Sequence, residues 1–273
     1  MLLIKDKPSK YLIELAKRHG IDVSDNVSVE DLFEEIQEKW TRTVSRQYEI
    51  SLVTPELPEK KDLFLFKKLG LIDVVTPPPG KYEGSLLLGA TVNATRRRLA
   101  FLLQQNISIR KLYMLGSQRI LRMEHETPEM LFKAIPELPF KKSYNPPTTY
   151  EDSDLPKTEA EMIYLIYEQS EIPKEWEVLF TKTSLKPNSD SKTPQPNTTD
   201  TLRDFLELHP TPGKYLLVSN QPFVQRQTLN ALSVLPSEFE ILGMGQKALP
   251  STPLRVFLDE IVRLLYEELK RNN

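Results

Sequence analysis

The sequence predicts an α/β fold: a Rossmann-like open, mostly parallel sheet flanked by helices, with a helical N-terminal extension. Two observations predict it. From about residue 81 onward, short apolar runs alternate with amphipathic segments, the pattern of βαβ units whose strands are buried on both faces. Before that point apolar residues recur at helical spacing, and the run Thr76-Pro77-Pro78-Pro79-Gly80 cannot continue a helix. Residues 1–80 therefore read as a helical accessory region and residues 81–273 as the Rossmann-like domain.

The elements follow in order. Pro8 can open a helix that sets Tyr11, Leu12 and Leu15 on one face and ends at Gly20. Ser28 and Asp31 resemble a capping box ahead of Val29, Leu32, Phe33, Ile36 and Trp40, and a third helix follows Pro58 with Leu63, Phe64, Phe66 and Leu69. Past the proline run, strands are expected at Ser85–Gly89, Lys111–Leu115, Glu177–Thr181, Lys214–Ser219 and Glu238–Leu242. Helices are expected at Asn93–Gln105, Thr158–Gln169, Thr199–Leu208 and Pro222–Leu235. A last amphipathic helix, Leu254 to about Lys270, is expected to pack on the sheet. Between Arg119 and Thr158, with a short helix opening at Thr127-Pro128, and between Thr183 and Thr198, the chain reads as long loops, the second with the composition of disorder.

Composition narrows the function. Acids and bases nearly balance to a net charge of -2 over 273 residues, which argues against general binding to nucleic acid or anionic membranes. The chain has no cysteine, so disulfides, thiol catalysis and cysteine-ligated metals are excluded. No apolar run approaches the roughly 20 residues of a membrane-spanning helix, and Met1-Leu2-Leu3-Ile4 is too short for a signal peptide. A cytoplasmic protein is the expectation. With 22 prolines against 9 glycines there is no Walker loop, and the scattered His19, His125 and His209 assemble no metal site.

Candidate site residues lie where strands should end, because ligands of open α/β sheets bind at carboxyl ends and helix N-termini. After the first strand come Gly89, Ala90 and Thr91, then Arg96-Arg97-Arg98 near a helix start, where the dipole disfavours cations and an anionic ligand or acidic neighbours would compensate, foremost at Arg96. The second strand ends Gly116-Ser117-Gln118-Arg119. Thr158-Glu159-Ala160-Glu161 opens a helix in which Glu159 is either a first-turn acid or the acceptor and general base of the crevice. Thr199 lies in another helix entry, which capping alone can explain. Ser219, Asn220 and Gln221 form the loop after the fourth strand, with Pro222 in the first helical turn and Arg226 one turn inside. Gly243-Met244-Gly245-Gln246-Lys247-Ala248 matches a dinucleotide fingerprint in form only, since Pro250 and Pro253 interrupt the required helix, and it reads as a turn.

In their order these segments resemble the YdcF-like branch of the SanA, ElyC and YdcF family of Rossmann-like domains, over about Gly84 to Ala248. The resemblance rests on Leu88-Gly89-Ala90, Arg96-Arg97-Arg98-Leu99, Leu115-Gly116-Ser117, Thr158-Glu159-Ala160, Thr199-Asp200-Thr201 and Ser219 to Arg226. Phe223 stands where the SanA and ElyC branches commonly carry a histidine, which disfavours histidine chemistry and points to the YdcF-like branch, for which the resemblance implies S-adenosylmethionine as candidate ligand. Two readings of function follow. One is a small-molecule protein binding an anionic or nucleotide-like ligand, with group transfer or hydrolysis as the chemistry open to it. The other is a catalytically inactive interaction protein that uses the N-terminal helices and loops to hold a macromolecular partner.

Overall fold

In the computed structural model, residues 2–41, 56–122, 126–185 and 196–272 are described. His125 and residues 186–195 of the second long loop lie outside them. The chain divides into two compact units, each built from separated segments.

The sheet unit comprises Val75–Asn220 and Asn230–Gln246. Its strands are β3 (Gly80–Leu88), β4 (Ile107–Ser117), β5 (Glu177–Thr183), β6 (Gly213–Asn220) and β7 (Phe239–Gln246), after a two-strand N-terminal hairpin, β1 (Leu3–Ile4) and β2 (Lys7–Pro8), of the other unit. The five strands pair in the order β5-β4-β3-β6-β7, every pair parallel. This is the expected Rossmann-like α/β arrangement, with α4 (Val92–Leu103), α6 (Glu159–Gln169) and α7 (Thr198–Glu207) as crossover helices.

Strand periodicity explains why the runs look continuously apolar. Leu87, Leu112, Met114, Leu216 and Val218 join one core with Val92, Leu99 and Leu102 of α4 and Met162, Ile163 and Ile166 of α6. Their neighbours Leu86, Leu88, Tyr113, Leu115, Tyr215 and Leu217 join a second core with Leu202 and Phe205 of α7. Both faces are covered, so alternation is lost and only β-branched, leucine and aromatic enrichment remains in the sequence. Gly84 serves this packing: a Cβ there would lie 2.8 Å from the Tyr215 ring and 3.0 Å from Lys111 O.

The helical unit comprises Met1–Val74, Gln221–Leu229 and Lys247–Asn273. It contains α1 (Lys10–Arg18), α2 (Val29–Trp40), α3 (Lys60–Lys68) and the final helix, labelled α9 (Leu254–Asn272). Ser9 caps α1, Ser28 accepts from Asp31 N at 3.0 Å, and Glu59 and Asp62 form a capping box on α3. Gly20 follows α1 at φ +78°, the left-handed geometry that ends helices. Asp62 is buried and accepts from Arg18 Nε at 2.6 Å, so it holds α1 to α3 as well as capping.

Several expectations change. The final helix joins the helical core in place of the expected sheet core: Phe257, Ile261, Leu264 and Leu265 lie in one core with Leu12, Leu15, Leu32, Ile36, Leu65 and Phe66. Its amphipathic stripe specified a buried face without specifying which core receives it. Gly243–Gln246 is no turn but the second half of β7, paired residue for residue with Leu217–Asn220, while Val75 bridges Gly245 on the other side. The helix after β6, labelled α8 (Val224–Val234), starts later than Pro222, and the Gln221–Pro222 peptide is cis. In the first long loop a four-residue helix, α5 (Pro128–Leu131), starts at Thr127 as its motif implied. Among the described residues no helix is long and apolar enough to cross a membrane.

The placement of α9 gives a test. Phe257 stacks on Phe66 with ring centroids 4.5 Å apart inside the helical core. Phe257→Ala is expected to cost about 3–5 kcal/mol in urea denaturation, as for other buried aromatic truncations.

Candidate strand-end site

The strand order reverses at β3, whose partners are β4 on one edge and β6 on the other. At such a reversal the chain leaves the two central strands toward opposite faces, and their carboxyl ends open a crevice. Arg98, buried on α4, spans this point. Its Nη1 donates to Leu88 O and Gly89 O, both at 2.8 Å, and its Nε donates to Asn220 Oδ1 at 2.8 Å. A guanidinium thus supplies donors to carbonyls at the carboxyl end of β3.

The ends of β3 and β4 hold a polar cluster. Ser117 Oγ donates to Glu159 Oε2 at 2.6 Å, and Arg119 Nη2 lies 3.5 Å from Glu159 Oε1. Arg119 also binds Glu126 in a two-point fork, Nη1 to Oε2 at 2.9 Å and Nη2 to Oε1 at 3.1 Å, and Arg122 N donates to the same carboxylate at 3.1 Å. Glu126 is 2% exposed at its side chain and Glu159 12%, so the first closes the cluster and the second retains an open side. Burial alone would lower the Arg119 pKa, but the ion pairs with Glu126 and Glu159 outweigh it and leave the guanidinium above its ordinary value.

The glycines explain how Glu159 reaches this position. Thr158 caps α6 through a reciprocal box with Glu161, which fixes the helix start and leaves Glu159 in the first turn. Glu159 N also donates to Arg119 O at 2.9 Å. A Cβ on Gly89 would lie 2.8 Å from Glu159 Cδ, and one on Gly116 would lie 2.8 Å from Ala160 Cα. Both glycines therefore admit the start of α6 rather than leaving open backbone. Thr181 completes the floor, donating to Gly116 O and accepting from Gly116 N, each at 3.1 Å.

Of the residues singled out from the sequence, Gly89, Ala90, Gly116, Ser117, Arg119 and Glu159 come together; Ala90 takes part through its carbonyl, 3.4 Å from Arg119 Nη2. Ser219 and Asn220 end β6 on the other side of the reversal, joined to β3 through Arg98. Thr91 caps the backbone of α4 without a side-chain hydrogen bond, and Thr199 lies in the first turn of α7 behind the Asn197–Asp200 capping box. Arg96 is directed elsewhere, to Leu131 O and Gln169 Oε1. Gln221 and Arg226 belong to the helical unit. There Gln221 Nε2 donates to Gly70 O and Asp73 O at 3.0 Å, and Arg226 Nε meets both oxygens of Glu260 at 2.8 and 2.9 Å. Sequence reasoning missed Glu126, which sits in a nonperiodic loop, and set Arg98 behind Arg96 although a helix turns neighbours two apart to different sides.

Among the described residues no group of three or more His, Asp or Glu side chains is placed to hold a metal ion. No family model matches the chain, and comparisons with curated proteins and with solved structures return no match.

Two expectations follow. Arg119→Ala strands the carboxylate of Glu126 in a buried site, and equilibrium denaturation should show a loss of about 3–5 kcal/mol. In the helical unit, burial, opposed by Arg226, raises the Glu260 pKa from 4.5 to about 7, and burial raises Glu268 likewise to about 7. A folded-state carboxyl pKa above its unfolded value means that folding takes up protons between those values. Stability should therefore fall as pH rises from 4.5 to about 7, and Glu260→Gln should flatten that slope in melting curves recorded across the window.

Proposed function

We propose that this chain is a YdcF-like small-molecule-binding protein, with a nucleotide-like ligand held over the carboxyl ends of β3 and β4 and S-adenosylmethionine as the first candidate. The observation that carries the reading is the Glu159 carboxylate, oriented over Gly89 by Ser117 and Arg119 with one side open. In Rossmann-like sheets a carboxylate near the strand ends accepts hydrogen bonds from ribose hydroxyls, and it equally suits an ammonium group.

Charge refines the ligand class. Arg119 already faces two carboxylates, so the Arg119, Glu126 and Glu159 cluster holds one more negative than positive group. Such a cluster favours a ligand that presents donors or positive charge to it, as the hydroxyls, ammonium and sulfonium of S-adenosylmethionine would, over one that presents a bare phosphate. The same carboxylate is the group to accept a proton in transfer or hydrolysis.

Titration calorimetry on the full chain, with S-adenosylmethionine, adenine nucleotides and sugar phosphates, tests the reading against Glu159→Gln. A nucleoside-bearing ligand should bind, and the substitution should weaken it at least about tenfold, the loss expected when a charge-assisted hydrogen bond is removed. A ligand bound equally by both proteins would take Glu159 out of the site, and binding of sugar phosphates alone would overturn the nucleotide-like assignment.

A further inference from the structure

The outer face of α3 carries more than packing requires. Leu65, Phe66 and Leu69 enter the helical core and Asp62 caps the helix, so these residues supply the buried side. At 3.6 residues per turn, Leu63, Lys67, Lys60, Phe64, Lys68 and Lys61 share the opposite arc, about 160° wide. All six are exposed, Leu63 to 40% and Phe64 to 51%. Tyr11 of α1 extends this face, its ring meeting Phe64 edge-on with centroids 6.4 Å apart. Lys10 Nζ lies 5.2 Å from the Tyr11 ring, and Lys68 Nζ lies 5.4 Å from the Phe64 ring.

The charge of this face is positive. Lys61 pairs with Glu14 at 3.0 Å and Lys67 with Asp73 at 3.2 Å, exposed pairs that water and salt screen. Glu59, at the start of α3, is met by Arg18. Among the described residues Lys10, Lys60 and Lys68 pair with no carboxylate. The net charge of -2 conceals the face because acids gather elsewhere in the same unit. There α2 exposes Glu30, Asp31, Glu34, Glu35 and Glu38, and it packs on α9, whereas α1 packs on α3. Lysine is depleted from protein interfaces, where ordering a long side chain costs entropy. It suits a fluid layer of phosphates, in which ammonium heads stay hydrated while adjacent apolar side chains enter the acyl boundary. An exposed ring can also stack on a nucleic-acid base, but Lys68 and Tyr11 already lie against Phe64.

We propose that the exposed face of α3 docks on an anionic lipid bilayer. Leu63 and Phe64 seat in the acyl boundary, and Lys60, Lys61, Lys67 and Lys68 surround them among the headgroup phosphates. The helix lies in the plane of the interface, where its nine residues span about 13 Å. Lys10 and Tyr11 flank it from α1. The attachment is peripheral and reversible, since it uses one short helix face and no spanning segment. It concerns the helical unit and does not depend on the ligand reading at Glu159.

Flotation of the full chain with lipid vesicles tests it. At low salt the chain should float with phosphatidylcholine vesicles that contain phosphatidylglycerol and stay behind with phosphatidylcholine alone. Added salt should release it by screening the lysines. Lys60→Gln and Lys68→Gln together should weaken binding about thirtyfold, from roughly fivefold for each charge near the surface. Both side chains are exposed, and circular dichroism checks that the fold is kept. Phe64→Trp reports the seating: brominated acyl chains should quench the emission of this variant more than that of the wild type. Failure to float with the anionic vesicles, equal binding to both vesicle types, undiminished binding of the lysine variant or no added quenching overturns the proposal. Capture of an RNA oligonucleotide without flotation overturns it in favour of nucleic acid.

Discussion

Parallel pairing on both edges of β3 is the constraint on which the sheet unit depends. A parallel neighbour can be reached only by a crossover, so each strand sends the chain onto a face of the sheet before the next begins. Because the order runs outward from β3 in two directions, the chain leaves β3 and β6 for different neighbours, and a crevice lies between their carboxyl ends. Arg98 reaches this point from α4, binding the carbonyls of Leu88 and Gly89 and the side chain of Asn220 together. The crevice is thus bridged at its origin by a side chain.

The polar groups beside it obey a second rule, that charge taken out of water must be met by charge or by several hydrogen bonds. Arg119 is met by Glu126 and Glu159, and Glu159 by Ser117 as well. This leaves Glu159 oriented and only partly enclosed, in contrast to Glu126. The helical unit repeats the rule with Asp62 between Arg18 and His19, and with Arg226 on Glu260. Arg96 stands apart from all of these as a guanidinium surrounded by neutral groups.

The alternation of apolar runs and amphipathic helices made the fold class legible, because each βαβ unit must bury one strand on both faces and one stripe of its helix. Position was harder to read than type. The stripe of Phe257, Ile261 and Leu265 is as good a partner for helices as for a sheet, and nothing local to residues 254–272 tells which. The glycines of Gly243 and Gly245 look like a turn, yet pairing with β6 and the Val75 bridge hold them extended. At the candidate site, Gly89, Gly116 and Glu159 could be picked out since a helix start needs acids and a strand end needs room. Glu126 could not, because its role depends on a loop path that no periodicity encodes. Arg96 drew attention for its clash with a helix dipole, while its actual distinction is burial, which only the fold creates.

The division of the chain among the two units has a consequence for their manipulation. The backbone passes from one unit to the other after residues 74, 220, 229 and 246, the third time within α8 itself. Neither unit is therefore a contiguous cassette. No single cut releases either one whole, since a fragment ending at 74 would lack α9, and one beginning at 75 would carry α9 without the core that receives it. The core of the helical unit is complete only when α9 meets the N-terminal helices.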